Sequence, residues 1–314
     1  MLASRSLVIP MFRVRREDAT PFSAADADRL VHAMRSGEPD EGLAHLSKKL
    51  DHLLHAMHVG GRLHVLSQPQ IHAILYALRA SGHDVPAPEA AAYNEDFLMT
   101  THNADFVRDP RFVAAYGRGM AAVGGDYRFR WRVHVGLWVA SCAVRLRGDF
   151  VECGVNRGFM SSAIMQYLDW NRLDRRFFLF DTFRGLDGEL LTDEERRLGK
   201  TAGFNNYTEC FADAQANFAE FRNVFLIRGS VPSTLPQADT DAVCYLHLDM
   251  NCVVPEVAAI QHFWGRLVPG AVVLLDDYGS PGYEPQKHGM DAFAHDHGVE
   301  LLSLPTGQGL LVKP

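Results

Sequence analysis

Two strongly apolar stretches in the second half of the chain end on acidic residues. The run YLHL at 245–248 precedes Asp249, and the longer run AVVLL at 271–275 precedes Asp276 and Asp277. Continuous apolar runs are typical of parallel strands that are buried on both faces. Because ligands in open α/β sheets bind at the carboxyl ends of such strands, we expect the three carboxylates to meet at one rim.

Carboxylates that meet at one rim repel each other unless a cation lies between them. A hard divalent cation with oxygen ligands is the simplest neutralising group, so Asp249, Asp276 and Asp277 are candidate metal ligands. The alternative is that Asp276 caps the following turn and Asp277 faces water.

From residue 150 onward, short apolar runs alternate with helical patterns, which indicates βαβ units and a mostly parallel, Rossmann-like sheet. The last two strands, 299–304 and 309–313, are a hairpin apart, so we expect one of them to be antiparallel. A polar insertion at 187–206 carries a charge run at 194–197, which we expect to be solvated. The other predicted strands are 150–154, 177–181, 224–228, 242–249 and 271–276.

The first part of the chain has a different pattern. Apolar residues recur at helical spacing within 22–83, and the Pro-Ala-Pro segment at 86–88 is typical of a linker. The pattern at 95–145 is also largely helical. We therefore expect a helical region at 1–95, acting as a lid, an oligomer contact or a partner surface, and a main domain at 96–314.

Composition narrows the class of protein. The 314 residues include 31 basic and 38 acidic side chains, a net charge of −7, which disfavours nucleic acid as a partner. No apolar stretch approaches the ~20 residues of a membrane span. The start of the chain lacks the pattern of a signal peptide, and the five cysteines show no CxxC pair, so we expect reduced thiols and a cytoplasmic location.

A glycine-containing loop follows the first strand of the alternating region. Its spacing, Glu152-x-Gly154-x-x-x-Gly158, differs from the GxGxxG of dinucleotide-binding folds, which argues against a nicotinamide dehydrogenase. It suits a loop that holds the amino-acid part of S-adenosylmethionine, with Glu152 toward the ammonium and Asn156 or Arg157 toward the carboxylate. An ordinary tight strand-to-helix turn would give the same pattern.

Further cofactor contacts are predicted from topology. Asp181 ends the second strand, where an acid can accept hydrogen bonds from both ribose hydroxyls, although it could instead cap the next element. Gly229 and Ser230 end the third strand and are expected beside the adenine. Ser161 and Thr182 complete the predicted set.

Two groups of histidines are candidates for chemistry. His52, His55 and His58 share one predicted helix, either as transition-metal ligands or, as we favour, as the polar flank of an amphipathic helix. His247 precedes Asp249 by two residues, so both should face the same way. It is either a packed core residue or a catalytic one.

Taken in order, several segments resemble the macrocin O-methyltransferase family, whose members methylate sugar hydroxyls. The resemblance covers about half of the chain, and it implies a class I methyltransferase-like fold, S-adenosylmethionine and Mg²⁺ or another divalent cation. It implies metal ligands at Asp249, Asp276 and Asp277, and cofactor residues in the 152–158 loop and at Asp181. The segments are GDFVECGV (148–155), LFDTFRGL (179–186), TLP (234–236), LHLD (246–249) and LVPGAVVLLDDYG (267–279).

One position departs from the family pattern. Members commonly have a second acid two residues after the first metal ligand, as a general base, whereas this chain has Asn251. A neutral amide cannot take a proton, so either the metal does most of the work, or another group is the base, or the activity has changed. If a protein base is needed, His247 or a histidine of the helical region could serve, and the predicted catalytic residues are Asp249 and His247. We expect methyl transfer to a sugar or glycosylated small molecule by a homo-oligomer, with a metal-independent methyltransferase or a non-catalytic cofactor-binding scaffold as alternatives.

Overall fold

The computed structural model describes residues 93–100, 102–201, 204 and 207–314, which all fall within a compact unit, Ala91–Pro314. The helices predicted at 22–83, with His52, His55 and His58, lie outside these described residues.

A seven-stranded sheet forms the centre of this unit, in the order β5-β4-β3-β6-β7-β9-β8. The first five of these strands are parallel to one another, and β9 is antiparallel to both β7 and β8, so the predicted Rossmann-like topology is confirmed. The strands are β3 (Asp149–Cys153), β4 (Phe177–Asp181), β5 (Val224–Arg228), β6 (Val243–Leu248), β7 (Leu267–Leu275), β8 (Leu301–Ser303) and β9 (Gly309–Val312).

Alternate side chains of the strands enter two apolar cores, one on each face of the sheet. Phe150 and Tyr245 belong to one core, whereas Val151 and Leu246 belong to the other. The result is three layers, because helices cover both faces. The helices are α1 (Pro110–Val123), α2 (Arg130–Ala143), α3 (Phe159–Leu168), α4 (Asp193–Arg197), α5 (Phe211–Phe218), α6 (Val253–Trp264) and α7 (Glu284–His297).

Local signals fix the ends of α1. The Asp109 carboxylate accepts hydrogen bonds from the amides of Arg111 and Phe112, Pro110 occupies the first turn, and Gly124 ends the helix in the left-handed conformation. None of the helices in the described part of the chain is both long and apolar enough to cross a membrane.

The start of the region predicted to be helical at 95–145 instead forms a hairpin of β1 (Tyr93–Glu95) and β2 (Leu98–Thr100). Its two turn residues, Asp96 and Phe97, both have positive φ angles, 52° and 57°. Strands this short carry too few residues to show an alternating pattern, so the sequence did not reveal them.

The glycine loop after β3 passes very close to the end of β6. Gly154 has φ +93°, and a Cβ atom added there would lie 1.9 Å from the carbonyl oxygen of Asp249. Only glycine allows this approach, which brings the loop alongside the acidic strand end.

We predict that Gly154→Ala lowers the free energy of unfolding by about 2–3 kcal/mol, because the methyl group clashes with backbone and the φ angle strains an L-residue. The matched control is Gly117→Ala in α1, where an added Cβ meets nothing within 4 Å. It should raise stability by about 0.5–1 kcal/mol. Denaturant unfolding followed by circular dichroism measures both, and equal stability of the two variants would contradict the close approach.

Candidate active site

A cavity of about 420 Å³ lies at the carboxyl ends of β3, β4, β6 and β7, a volume in the range of small-molecule sites. Aromatic rings of Tyr127, Phe129, Phe159 and Tyr283 form part of its wall. Of the residues predicted from sequence, the cavity is lined by Glu152, Gly154, Asn156, Asp181, Thr182, Gly229, Ser230, His247, Asp249, Asp276 and Asp277.

Three predicted cofactor residues do not line this cavity. The guanidinium of Arg157 forms an ion pair with Asp213, 2.9 Å away, because the turn directs it outward. Gly158 packs against the ring of Phe218, where an added Cβ would lie 2.2 Å from a ring carbon. Ser161 is fully buried, and its hydroxyl donates a hydrogen bond to Glu152. The contacts of these three residues therefore hold the glycine loop and the start of α3 from outside the cavity.

Most of the backbone amides that donate to the Asp181 side chain belong to the glycine loop after β3. Its carboxylate accepts hydrogen bonds from the amides of Val155 at 2.6 Å, Asn156 at 2.7 Å and Phe183 at 2.5 Å. Buried polar groups need such partners. Asp181 therefore sets the shape of the glycine loop, and its remaining acceptor capacity faces the cavity.

The register of the sheet brings Glu152 and His247 together. The two residues are paired across the parallel strands β3 and β6, and His247 Nδ1 lies 3.1 Å from Glu152 Oε1. Both side chains are almost fully buried, at 2% and 1% exposure. His247 Nε2 has no hydrogen-bond partner and lies 3.6 Å from Asp276 Oδ1.

Two of the three candidate metal ligands converge, together with that histidine. One ligand atom each from His247, Asp249 and Asp276 lies within 4.8 Å of the others. This donor set fits a divalent cation, because carboxylate oxygens and a neutral imidazole are ordinary ligands. Asp277, the third carboxylate, is not in this group.

The cation that contacts Asp277 is an arginine that the sequence analysis did not select. Arg132, in the first turn of α2, places Nη1 2.5 Å from Asp276 Oδ2 and 3.3 Å from Asp277 Oδ1. Its Nε donates to Asp96, 3.1 Å away. The first turn of α2 carries two arginines, Arg130 and Arg132, and the sequence does not indicate which of them contacts the acidic residues.

Charge and burial shift the pKa values of all three carboxylates, Asp249, Asp276 and Asp277. Burial alone would raise the pKa of Asp276, but Arg132 and His247 outweigh it and hold that pKa well below its ordinary value. Burial and the Asp276 charge raise the pKa of Asp277 to about 6. Burial also raises the pKa of Asp249, with Asp276 and Asp277 adding to the effect.

Asn251 has a fixed amide orientation. Its Oδ1 accepts from the Tyr283 hydroxyl at 2.9 Å, and its Nδ2 donates to Asp249 Oδ1 at 3.3 Å. Because the neutral amide presents a donor to Asp249 and cannot take up a proton, it positions that carboxylate and does not act as a base.

Buried ionisable residues hold the loop between β6 and α6. Lys200 Nζ donates to the carbonyl oxygen of Asn251 at 2.7 Å and to Gln286 Oε1 at 2.6 Å. Glu195 accepts from the amide of Val253 at 2.8 Å.

The prediction that the charge run at 194–197 is a solvated face is thus wrong for Glu195, which is fully buried. It forms a capping box with Thr192 at the start of α4, and it also caps α6. A short charged segment gives no local sign that one of its members turns inward.

Comparison with known proteins identifies the family. The model of the family described as Macrocin-O-methyltransferase (TylF) matches residues 139–302, about half of the chain. The chain belongs to the macrocin O-methyltransferase family.

Two relatives of this macrocin O-methyltransferase family member are O-methyltransferases by name. Mycinamicin III 3''-O-methyltransferase of Micromonospora griseorubida is 25% identical over 165 residues, 48% of this chain and 62% of that protein. An 8-demethyl-8-(2,3-dimethoxy-alpha-L-rhamnosyl)-tetracenomycin-C 4'-O-methyltransferase of Streptomyces olivaceus is 29% identical over 143 residues, 42% of this chain and 53% of that protein. The match thus spans less than two thirds of either relative.

A solved structure shows the fold. The O-methyltransferase NovP superposes with a TM-score of 0.55 at 18% identity, covering 67% of this chain and 99% of that one. The class I methyltransferase fold implied by the resemblance is therefore confirmed for this macrocin O-methyltransferase family member.

We predict that Lys200→Met lowers the free energy of unfolding by about 1–3 kcal/mol, because two buried oxygen acceptors lose their donor. Lys287→Met is the matched control, since Lys287 pairs with Asp291 at 2.5 Å with its side chain 42% exposed. An exposed pair contributes less than about 1 kcal/mol. Equal losses in denaturant unfolding would contradict the clamping role of Lys200.

Proposed function

We propose that this chain is an S-adenosylmethionine-dependent O-methyltransferase that uses Mg²⁺ or another divalent cation and acts on a hydroxyl of a sugar or glycosylated small molecule. The observation that carries the proposal is the convergence of Asp249 and Asp276 beside the glycine-loop cavity. Family membership and the names of the two relatives support the reaction and the acceptor class.

The cofactor would occupy the part of the cavity between the glycine loop and the end of β4. Gly154 permits backbone approach, and Glu152 offers a carboxylate toward the ammonium. Asp181, with Thr182 beside it, offers its remaining acceptor capacity to the ribose. Gly229 and Ser230 would lie beside the adenine, and Asn156 near the carboxylate of the cofactor, as we expected from sequence.

The cation would be held by Asp249 and Asp276, with Asp277 beside them. Bound in this way, S-adenosylmethionine supplies an electrophilic methyl group and the cation supplies a Lewis acid that lowers the pKa of an acceptor hydroxyl. Methyl transfer would exchange the carbon–sulfur bond of the donor for an oxygen–carbon bond of the acceptor and would give S-adenosylhomocysteine. Holding the two reacting groups in line contributes much of the rate.

Asp249 is the group that would accept the hydroxyl proton. Asn251 donates to this carboxylate and cannot replace it as a base. Of the two catalytic candidates, Asp249 is partly exposed at the cavity wall, whereas His247 is 1% exposed and its Nδ1 faces Glu152. A base must reach its proton directly or through one water molecule.

We predict that Asp276→Asn and Asp249→Asn each lower the turnover number at least about 100-fold, because the Lewis acid contributes several kcal/mol. The assay is S-adenosylhomocysteine release with sugars that carry neighbouring hydroxyls, free, nucleotide-linked or attached to an aglycone. Asp213→Asn is the control, since Asp213 pairs with Arg157 outside the cavity. Cofactor affinity should match the control. Near-normal turnover in both site variants would remove the cation from the mechanism.

One observation favours a second candidate, a metal-independent methyltransferase. Arg132 already neutralises part of the acidic group, 2.5 Å from Asp276. Removing divalent cations with a chelator distinguishes the cation-dependent reaction from the metal-independent one. We predict that the chelator-treated protein loses methyl transfer and regains it with Mg²⁺ or Mn²⁺, whereas full turnover after chelation would favour the metal-independent reaction.

The remaining parts of the proposal concern the whole protein. We propose a cytoplasmic homo-oligomer, with the region 1–95 as lid, dimer contact or partner surface and the methyltransferase domain at 96–314. Light scattering of the full chain, and of a chain that begins at residue 91, tests the oligomeric part.

A further inference from the structure

The three carboxylates at the ends of β6 and β7, those of Asp249, Asp276 and Asp277, are not equivalent. Asp277 Oδ1 lies 3.3 Å from Arg132 Nη1, and Asp277 is outside the set of ligand atoms that converge. The third member of that set is His247. The structure therefore raises the question of which residue completes a cation site with Asp249 and Asp276.

The two oxygens of Asp276 face different neighbours. Oδ2 accepts from Arg132 at 2.5 Å, while Oδ1 lies 3.6 Å from His247 Nε2 and 3.1 Å from Gln308 Nε2. Arg132 therefore leaves Oδ1 available on the histidine side. Two ligands about 2.1 Å from one ion lie about 3.0–3.4 Å apart at octahedral or tetrahedral angles, so small shifts would bring Asp276 Oδ1 and His247 Nε2 onto one cation.

His247 Nε2 is a buried nitrogen without a partner. Among the described residues, four buried side-chain atoms have no hydrogen-bond partner, on Trp131, Tyr245, His247 and His262. Of these four residues, only His247 lines the cavity. Leaving a buried polar atom unpaired costs about 1–3 kcal/mol, so its position at the site calls for a ligand.

The other ring nitrogen of His247, Nδ1, faces a carboxylate, as is common in metal-binding histidines. His247 Nδ1 faces Glu152 Oε1 at 3.1 Å, and the other Glu152 oxygen accepts from the Ser161 hydroxyl. A carboxylate on one ring nitrogen fixes the tautomer and directs the lone pair of the other nitrogen at the metal. With a cation bound, the neutral ring would keep its proton on Nδ1 and direct the lone pair of Nε2 at the ion.

We propose that the divalent cation is bound by Asp249, Asp276 and the imidazole Nε2 of His247, while Asp277 serves as the partner of Arg132. This inference rests on the cation-dependent function proposed above and changes its ligand set from three carboxylates to two carboxylates and one nitrogen. Because imidazole suits later transition metals better than Mg²⁺, the site should prefer Fe²⁺, Co²⁺ or Zn²⁺ to Mg²⁺.

Electron paramagnetic resonance of Mn²⁺ tests the ligand set without an activity assay. The probe is Mn²⁺ added to the full chain with S-adenosylhomocysteine, and the signal is ¹⁴N modulation of the Mn²⁺ spin echo. We expect modulation in the unchanged chain, its loss in His247→Gln and its retention in His262→Gln. His262 is the matched control, because its Nε2 is also unpaired but lies away from the cavity.

Mn²⁺ affinity gives a second readout. Asp276→Asn should weaken binding at least about tenfold, whereas Asp277→Asn should weaken it severalfold less, since only Asp276 would contact the ion. Should His247→Gln fail to fold, ¹⁵N-histidine labelling replaces it: the modulation must change to that of ¹⁵N and must disappear in Asp276→Asn.

The outcomes separate this inference from the proposed function. Bound Mn²⁺ without nitrogen modulation, or with modulation that survives His247→Gln, overturns the nitrogen ligand and leaves a cation held by carboxylates. No bound Mn²⁺ at all overturns the inference together with the cation-dependent part of the proposed function.

Discussion

Negative charge concentrated at the ends of β6 and β7 is the constraint on which the rest of the site depends. Asp249, Asp276 and Asp277 lie together at low exposure, and burying charges without compensation is costly. Arg132 compensates one side of the group, and His247 faces the other. The opening between them is where a further cation would be most strongly stabilised.

The surrounding structure holds this group in place. The first turn of α2 delivers Arg132, and Lys200 holds the backbone of the loop that carries Asp249. Gly154 lets the glycine loop after β3 lie against the same loop, and the hydrogen bonds of Asp181 set the shape of the glycine loop. The regions proposed for the cation and the cofactor are therefore adjacent, as a reaction between a methyl donor and an activated hydroxyl would require.

Sequence reasoning predicted the parts of the fold and site that depend on topology. Parallel strands that end on acids had to deliver Asp249 and Asp276 to one edge, and they do. It could not find Arg132 or Lys200, because their partners lie far away in sequence and leave no local pattern. It also assigned Arg157 to the cofactor, although the turn directs that side chain toward Asp213. The direction of a loop side chain depends on backbone angles that spacing alone does not determine.

The most direct measurement is anomalous diffraction at the manganese edge from crystals grown with Mn²⁺ and S-adenosylhomocysteine. We expect a single strong peak at ligand distance, about 2.0–2.3 Å, from carboxylate oxygens of both Asp249 and Asp276, beside the bound S-adenosylhomocysteine. An ordered S-adenosylhomocysteine with no anomalous peak between those two carboxylates would contradict it.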